Sequence, residues 1–124
     1  MRVLCSISTR GRYHSTLPMT VQSVICQTKK PDKLVIFDDN DEPEDLRNDD
    51  VYRQLFPMLE SKGIEWAVIF GEKKGQHHNH QTANSLGYDW VWRLDDDTFA
   101  EPNVLATLCS YINGDVGAIA GSVM

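Results

Sequence analysis

Apolar residues along this chain come in short blocks, and the spacing within the blocks alternates between two kinds. "RVLCSIST" (2–9), "KLVIF" (33–37), "IEWAVIF" (64–70), "YDWVWRL" (88–94) and "VGAIAGSVM" (116–124) are nearly unbroken runs of strand length. Such runs suit parallel strands covered on both faces, which have no polar side to show to water. Between them the period lengthens. In "PMTVQSVICQT", Val21, Val24, Ile25 and Thr28 share one helical face behind Pro18, a residue suited to a first helical turn. "DLRNDDVYRQLFPMLESKG" reads as a helix with Val51, Leu55, Met58 and Leu59 inward. Pro57 is expected to kink it or start a second helix, and Gly63 to cap its end. A further helix is expected after Gly75, and another opens at Pro102 with Val104, Leu105, Leu108 and Ile112 on one face.

Strand and helix alternate throughout, which predicts an α/β sandwich built on a mostly parallel sheet. The 124 residues suffice for one domain with one modest core, spanning 1–124. No repeat, low-complexity stretch or internal linker interrupts the pattern.

Polar residues then become informative by where they fall. Open α/β sheets bind ligands beyond the carboxyl ends of their strands. Strand one ends in Ser8, Thr9 and Arg10, strand two in Asp38 and Asp39, and strand four in Asp95, Asp96 and Asp97. In a doubly wound order strand one lies between the other two, and the three clusters share one crevice. Three adjacent carboxylates repel one another, and water, a basic side chain or a metal ion must offset that. Hard divalent cations prefer carboxylate oxygens and bridge them to substrate phosphates. If the segment stays extended, Asp95 and Asp97 point the same way and Asp96 turns aside. The alternative is a solvated acidic loop in which Asp97 or Thr98 starts an N-cap ahead of Pro102.

Charge narrows the partners. Lys and Arg number 12 and Asp and Glu 18, a net charge of −6, which argues against nucleic acid or an anionic membrane surface. A small phosphate ligand held through a cation remains compatible. Cys5, Cys26 and Cys109 form no CxxC pair, and are expected to be reduced, mostly buried thiols of a cytoplasmic protein. No apolar run approaches the roughly 20 residues of a membrane span, and the N-terminus lacks a signal-peptide layout.

Other candidates have plainer readings. His77, His78 and His80 do not share one helical face and lack further zinc ligands nearby, so a polar loop or helix start is expected. Trp90 and Trp92 fall on one strand face and read as core. Lys73 and Lys74 are loop lysines; Arg10 and Arg12, beyond strand one, are the better phosphate candidates.

Two ordered blocks carry a family resemblance. "LPMTVQSVICQTKKPDKLVIFDDND" places Thr20, Ser23, Val24, Gln27, Thr28 and Pro31 ahead of a strand that ends in paired Asp. "GQHHNHQTANSLGYDWVWRLDDDTFAEP" gives a Gly-led loop, a helix, a strand, a DxD and a following Pro. In this order the chain resembles the N-terminal, nucleotide-binding part of family 2 glycosyltransferases of the GT-A fold. The resemblance implies a Rossmann-like three-layer α/β/α sandwich. It also implies metal-dependent transfer, with inversion, of a hexosyl group from a nucleoside-diphosphate sugar, commonly a UDP-sugar, to an acceptor. Thr9 and either Asp38 or Asp39 would contact base and ribose, with Ser8, Arg10 and Asp96 completing the nucleotide site. Asp95 would lie near ribose or metal, and Asp97 would ligate Mn²⁺ or Mg²⁺.

The chain departs from the family pattern in three places. "DDND" stands where "DDGS" is common, so which Asp faces the base stays open. The family's "ARN" is replaced within "HHNHQTAN", leaving His78, Asn79 and His80 open as counterparts of the Arg. The family's acceptor site and general base lie beyond the fifth strand, and no residue here matches that base. A donor-binding fragment truncated after the fifth strand, or a naturally shortened relative that binds donors without transferring sugar, is therefore expected, with little or no transfer by this chain alone. A nucleotidyltransferase would show a Gly-rich basic loop after strand one, where "SISTRGRYHS" has a single Gly. A receiver-like domain would need acidic residues there and a Lys after strand five. A non-catalytic module that keeps the fold is the remaining alternative.

Overall fold

The computed structural model describes residues 1–112, 117 and 119. Four strands, β1 (Val3–Thr9), β2 (Lys33–Asp38), β3 (Glu65–Phe70) and β4 (Trp90–Asp95), form one parallel sheet in the order β3-β2-β1-β4. The helices are α1 (Leu17–Ile25), α2 (Tyr52–Ser61), α3 (Gln76–Asn84) and α4 (Val104–Ser110), with a 3-10 turn at Leu46–Asn48. The expected strand at 116–124 lies outside the described residues except for Gly117 and Ile119. Among the described residues no helix is long and apolar enough to cross a membrane.

Alternate strand residues serve opposite layers, as the period of two requires. Val3, Cys5, Ile7, Leu34, Ile36, Trp92 and Leu94 face α1, α2 and α4, where Leu17, Val21, Val24, Leu55, Phe56, Leu59 and Leu105 meet them. Leu4, Val35 and Phe37 face the other way, onto Ala83 of α3. The result is a three-layer sandwich with one thick and one thin apolar layer. Trp92 belongs to the thick layer and Trp90 packs against it, while Trp66 stacks on Phe56 with ring centroids 3.8 Å apart.

Several inward faces differ from the pattern-based expectation. In α2 the buried residues are Tyr52, Leu55, Phe56 and Leu59, whereas Val51 and Met58 are exposed. The helix begins at Tyr52, so Val51 sits at its N-cap rather than on its core face. Pro57 lies inside a continuous α2, and Gly63, at φ +76°, follows the C-cap as expected. After α1 it is Gln27, not Thr28, that turns inward. Its amide donates to the Glu101 carbonyl at 2.7 Å and accepts from Leu105 N–H at 3.0 Å, fastening the end of α1 to the start of α4. Cys5 is buried, but Cys26 is exposed and Cys109 only partly covered, so the thiols are not mostly buried.

Candidate functional site

Parallel register sets the strand ends level. Ser8 lies opposite Asp95, and Thr9 opposite Asp38. With β1 between β2 and β4, residues 8–10, 38–40 and 95–97 meet at one edge of the sheet.

The triple Asp does not stay extended. The chain turns after β4, with Thr98 N–H donating to the Asp95 carbonyl at 3.2 Å. The turn carries Asp96 over the end of β1, where its carboxylate accepts from Thr9 Oγ1 at 3.0 Å and from Arg10 N–H at 3.3 Å. The expectation that Asp96 turns aside is thus replaced by a role tying β4 to β1. Asp95 and Asp97 are exposed, and among the described residues no donor reaches either carboxylate. Neither Asp97 nor Thr98 caps α4, whose N-cap is Asn103.

The two aspartates after β2 are buried and saturated. Asp38 accepts from the Tyr13 hydroxyl, from Asn40 N–H at 3.0 Å and from the Asn40 amide at 2.8 Å. Tyr13 in turn accepts from Glu44 N–H at 3.2 Å, and its carbonyl takes the Tyr52 hydroxyl at 2.7 Å. Burial, together with the bond to Asp38, pushes the Tyr13 phenol up to about 12. The next residue, Asp39, accepts from the Asn79 amide at 2.8 Å and from Lys73 N–H at 3.3 Å, while its own N–H donates to the Thr9 carbonyl at 3.0 Å. The same Asn79 nitrogen donates to Ser8 Oγ at 2.8 Å. Gly71 leaves room for this packing, since a Cβ there would stand 1.9 Å from Asp39 Oδ1.

The three histidines of α3 separate. His80 is buried with Nδ1 2.8 Å from Ser6 Oγ, and burial, reinforced by the Arg93 charge and opposed by Asp95, lowers its pKa. His78 points to Glu72 at 3.4 Å, and His77 is exposed. His14, in the loop after β1, lies between Glu44 at 3.4 Å and Asp49 at 3.5 Å of the segment after β2. Among the cations, Arg10 reaches Asp41 at 3.2 Å and Lys74 reaches Glu72 at 2.9 Å.

Tyr13, Asn40 and Gly71 are site residues that the sequence reading missed. Gly71 had a signal, because a Gly closing an apolar strand marks a close approach by another group. Tyr13 had none, standing alone in a polar loop.

Comparison with known proteins gives the family and the fold. The chain is 30% identical over 111 residues to galactofuranosyltransferase GlfT1 of Mycolicibacterium smegmatis, covering 87% of this chain and 34% of that protein. It is 32% identical over 129 residues to glucosyl-dolichyl phosphate glucuronosyltransferase of Haloferax volcanii, covering 98% of this chain and 37% of that protein. It thus spans about a third of the length of these relatives. The crystal structure of S. aureus TarS superposes with a TM-score of 0.61 at 14% identity, over 89% of this chain and 19% of that one, a likeness of fold alone. The model of the family described as Glycosyl transferase family 2 matches residues 6–124. The chain therefore belongs to glycosyl transferase family 2 and has the GT-A fold.

Proposed function

We propose that this chain builds the donor site of a glycosyltransferase acting on a nucleoside-diphosphate sugar, with UDP as the nucleotide and Asp95 and Asp97 as the holders of a divalent cation. The observation that carries this reading is the division of labour at the end of β4. Asp96 is committed to Thr9 and Arg10, whereas Asp95 and Asp97 present exposed carboxylates with no donor among the described residues. Exposed carboxylate oxygens without a protein donor are the ligands that hard cations prefer. Mn²⁺ or Mg²⁺ held there would neutralise the donor diphosphate and the charge that grows on the departing nucleoside diphosphate.

The chain's own residues then bind and orient. Ser8, Thr9, Asp38 and Asp39 form the floor beside base and ribose, and Arg10 stands at the rim as a phosphate partner. Asp38 and Asp39 are held by donors from the loops after β1, β2 and β3 and from α3. Transfer with inversion requires a general base for the acceptor hydroxyl, a role assigned to none of these residues. The names of the two relatives specify a galactofuranosyl and a glucuronosyl group, so the reading commits to the nucleotide and cation rather than to one sugar.

Calorimetric titration of UDP into the chain, with and without Mn²⁺ and with GDP as comparator, tests the reading. UDP is expected to bind in the presence of Mn²⁺, and Asp97→Ala to weaken that binding at least about tenfold. Binding of no nucleotide, or equal binding by Asp97→Ala, overturns it.

A further inference from the structure

Two cations border the crevice, and one carboxylate holds both. Arg10 follows β1, Asp41 follows β2 and Lys73 follows β3. Arg10 Nη2 is 3.2 Å from Asp41 Oδ2, and Lys73 Nζ is 3.7 Å from Asp41 Oδ1. The trio carries two positive charges against one negative, a cationic spot at the rim of an otherwise acidic edge.

The roots of both cations are fixed by site carboxylates. Arg10 N–H donates to Asp96, and Lys73 N–H donates to the buried Asp39. Lys73 has φ +59°, a left-handed backbone conformation that is uncommon for a residue with a side chain. Such conformations persist where surrounding contacts over-determine them, and they cluster at ligand-binding sites. The Asp39 bond supplies that constraint, so the lysine is aimed by the same carboxylate network that shapes the nucleotide floor.

The tips, unlike the roots, are solvated. Side-chain exposure is 62% for Arg10, 70% for Asp41 and 49% for Lys73. Exposed ion pairs contribute little and exchange partners readily. A diphosphate offers several oxygens where Asp41 offers two, and Arg recognises phosphate through its forked donors.

We propose that Asp41 is a stand-in for the donor's phosphates: it keeps Arg10 and Lys73 gathered at the crevice and yields them to the diphosphate when the donor binds. The inference rests on the donor-site reading and adds to it Lys73 as a phosphate-binding residue and Asp41 as an internal competitor.

The test is titration of UDP and of uridine, in Mn²⁺, into the unaltered chain, Asp41→Asn, Glu42→Gln, the double variant Arg10→Ala/Lys73→Ala, and the triple variant that adds Asp41→Asn to it. Glu42→Gln makes the same charge change one residue away. Asp41→Asn is expected to tighten UDP about three- to fivefold, the range of an exposed ion pair, and to leave uridine unchanged. The double variant is expected to weaken UDP about tenfold and to cancel the effect of Asp41→Asn. A gain no larger than that of Glu42→Gln, or one that persists without Arg10 and Lys73, overturns the proposal while leaving the donor site standing. An unaltered chain that binds no UDP overturns the donor-site reading and this proposal with it.

Discussion

The side-chain nitrogen of Asn79 lies 2.8 Å from Asp39 Oδ2 and 2.8 Å from Ser8 Oγ, and so ties α3 to the ends of both β1 and β2. An amide NH₂ has two hydrogens, and each is used. Asn79 and Asp39 are both buried, at 1% and 4% exposure, so water does not replace a lost donor freely. Leaving a buried acceptor unsatisfied costs about 1–3 kcal/mol. Asn79→Ala is therefore expected to lower the unfolding free energy by about that amount in urea denaturation, and Asn79→Asp by more, since it sets a carboxylate against Asp39. A change below about 0.5 kcal/mol for Asn79→Ala, the size of an ordinary surface substitution, would mean that the tie is not structural.

Gly71 faces the same carboxylate from β3's side. A Cβ at 1.9 Å from Asp39 Oδ1 is inside any tolerable contact, and Asn79 Oδ1 stands only 3.2 Å away behind it. Asp39 must move or the strand end must. Gly71→Ala is expected to cost about 1–3 kcal/mol through overpacking and to weaken Mn²⁺-dependent UDP binding. Gly63→Ala is the matched control. It is strained by its positive φ but has open space around it, so it should lose stability with nucleotide affinity unchanged. Equal affinity in the two variants would detach Gly71 from the site.

His80 makes stability depend on pH in a set direction. Its pKa is lowered below the ordinary 6.5, first by burial and then by Arg93, with His77 adding and Asp95 opposing. The folded chain thus binds this proton less tightly than the unfolded chain. The contribution is complete above about pH 6.5 and is lost as pH falls through the folded pKa. Urea unfolding at about pH 7.5 and about pH 5.5 should show a larger loss for the unaltered chain than for His80→Asn, which keeps a polar partner for Ser6 but does not titrate in this range. Identical losses would assign the pH dependence to other groups.

How far these features were readable from the sequence depends on what sets each of them. Unbroken apolar runs such as "KLVIF" and the residues that stop them were enough for a parallel sheet and for the meeting of Ser8, Asp38 and Asp95, because period and strand ends are local properties. The inward face of α2 was misread at Val51 and Met58 because it depends on where the helix starts, which pattern defines poorly. The posture of Asp96 depends on donors at and just after the end of β1, 87 and 86 residues away in sequence, so no local rule distinguishes a turn there from an extended continuation. Asn79 depends on the rotation of α3 about its axis. That helix is mostly polar, and its one buried apolar residue, Ala83, gives periodicity little to fix the rotation with.

Asp96 and Asp97 are adjacent yet should fail in different ways. Asp96 accepts from Thr9 Oγ1 and Arg10 N–H, so Asp96→Ala removes two bonds that pin β4 to β1. Its partial exposure lets water compensate in part, giving an expected loss near 1 kcal/mol, with Asp96→Asn in between. Asp97 is exposed and accepts from no donor among the described residues. Asp97→Ala should therefore stay within about 0.5 kcal/mol of the unaltered chain in urea unfolding, or become slightly more stable through relief of repulsion, while losing Mn²⁺-dependent UDP binding. Measuring unfolding and UDP affinity on the same samples separates the two roles. If Asp97→Ala unfolds as easily as Asp96→Ala and binds UDP unchanged, both residues serve the fold, and the cation would have to be held elsewhere.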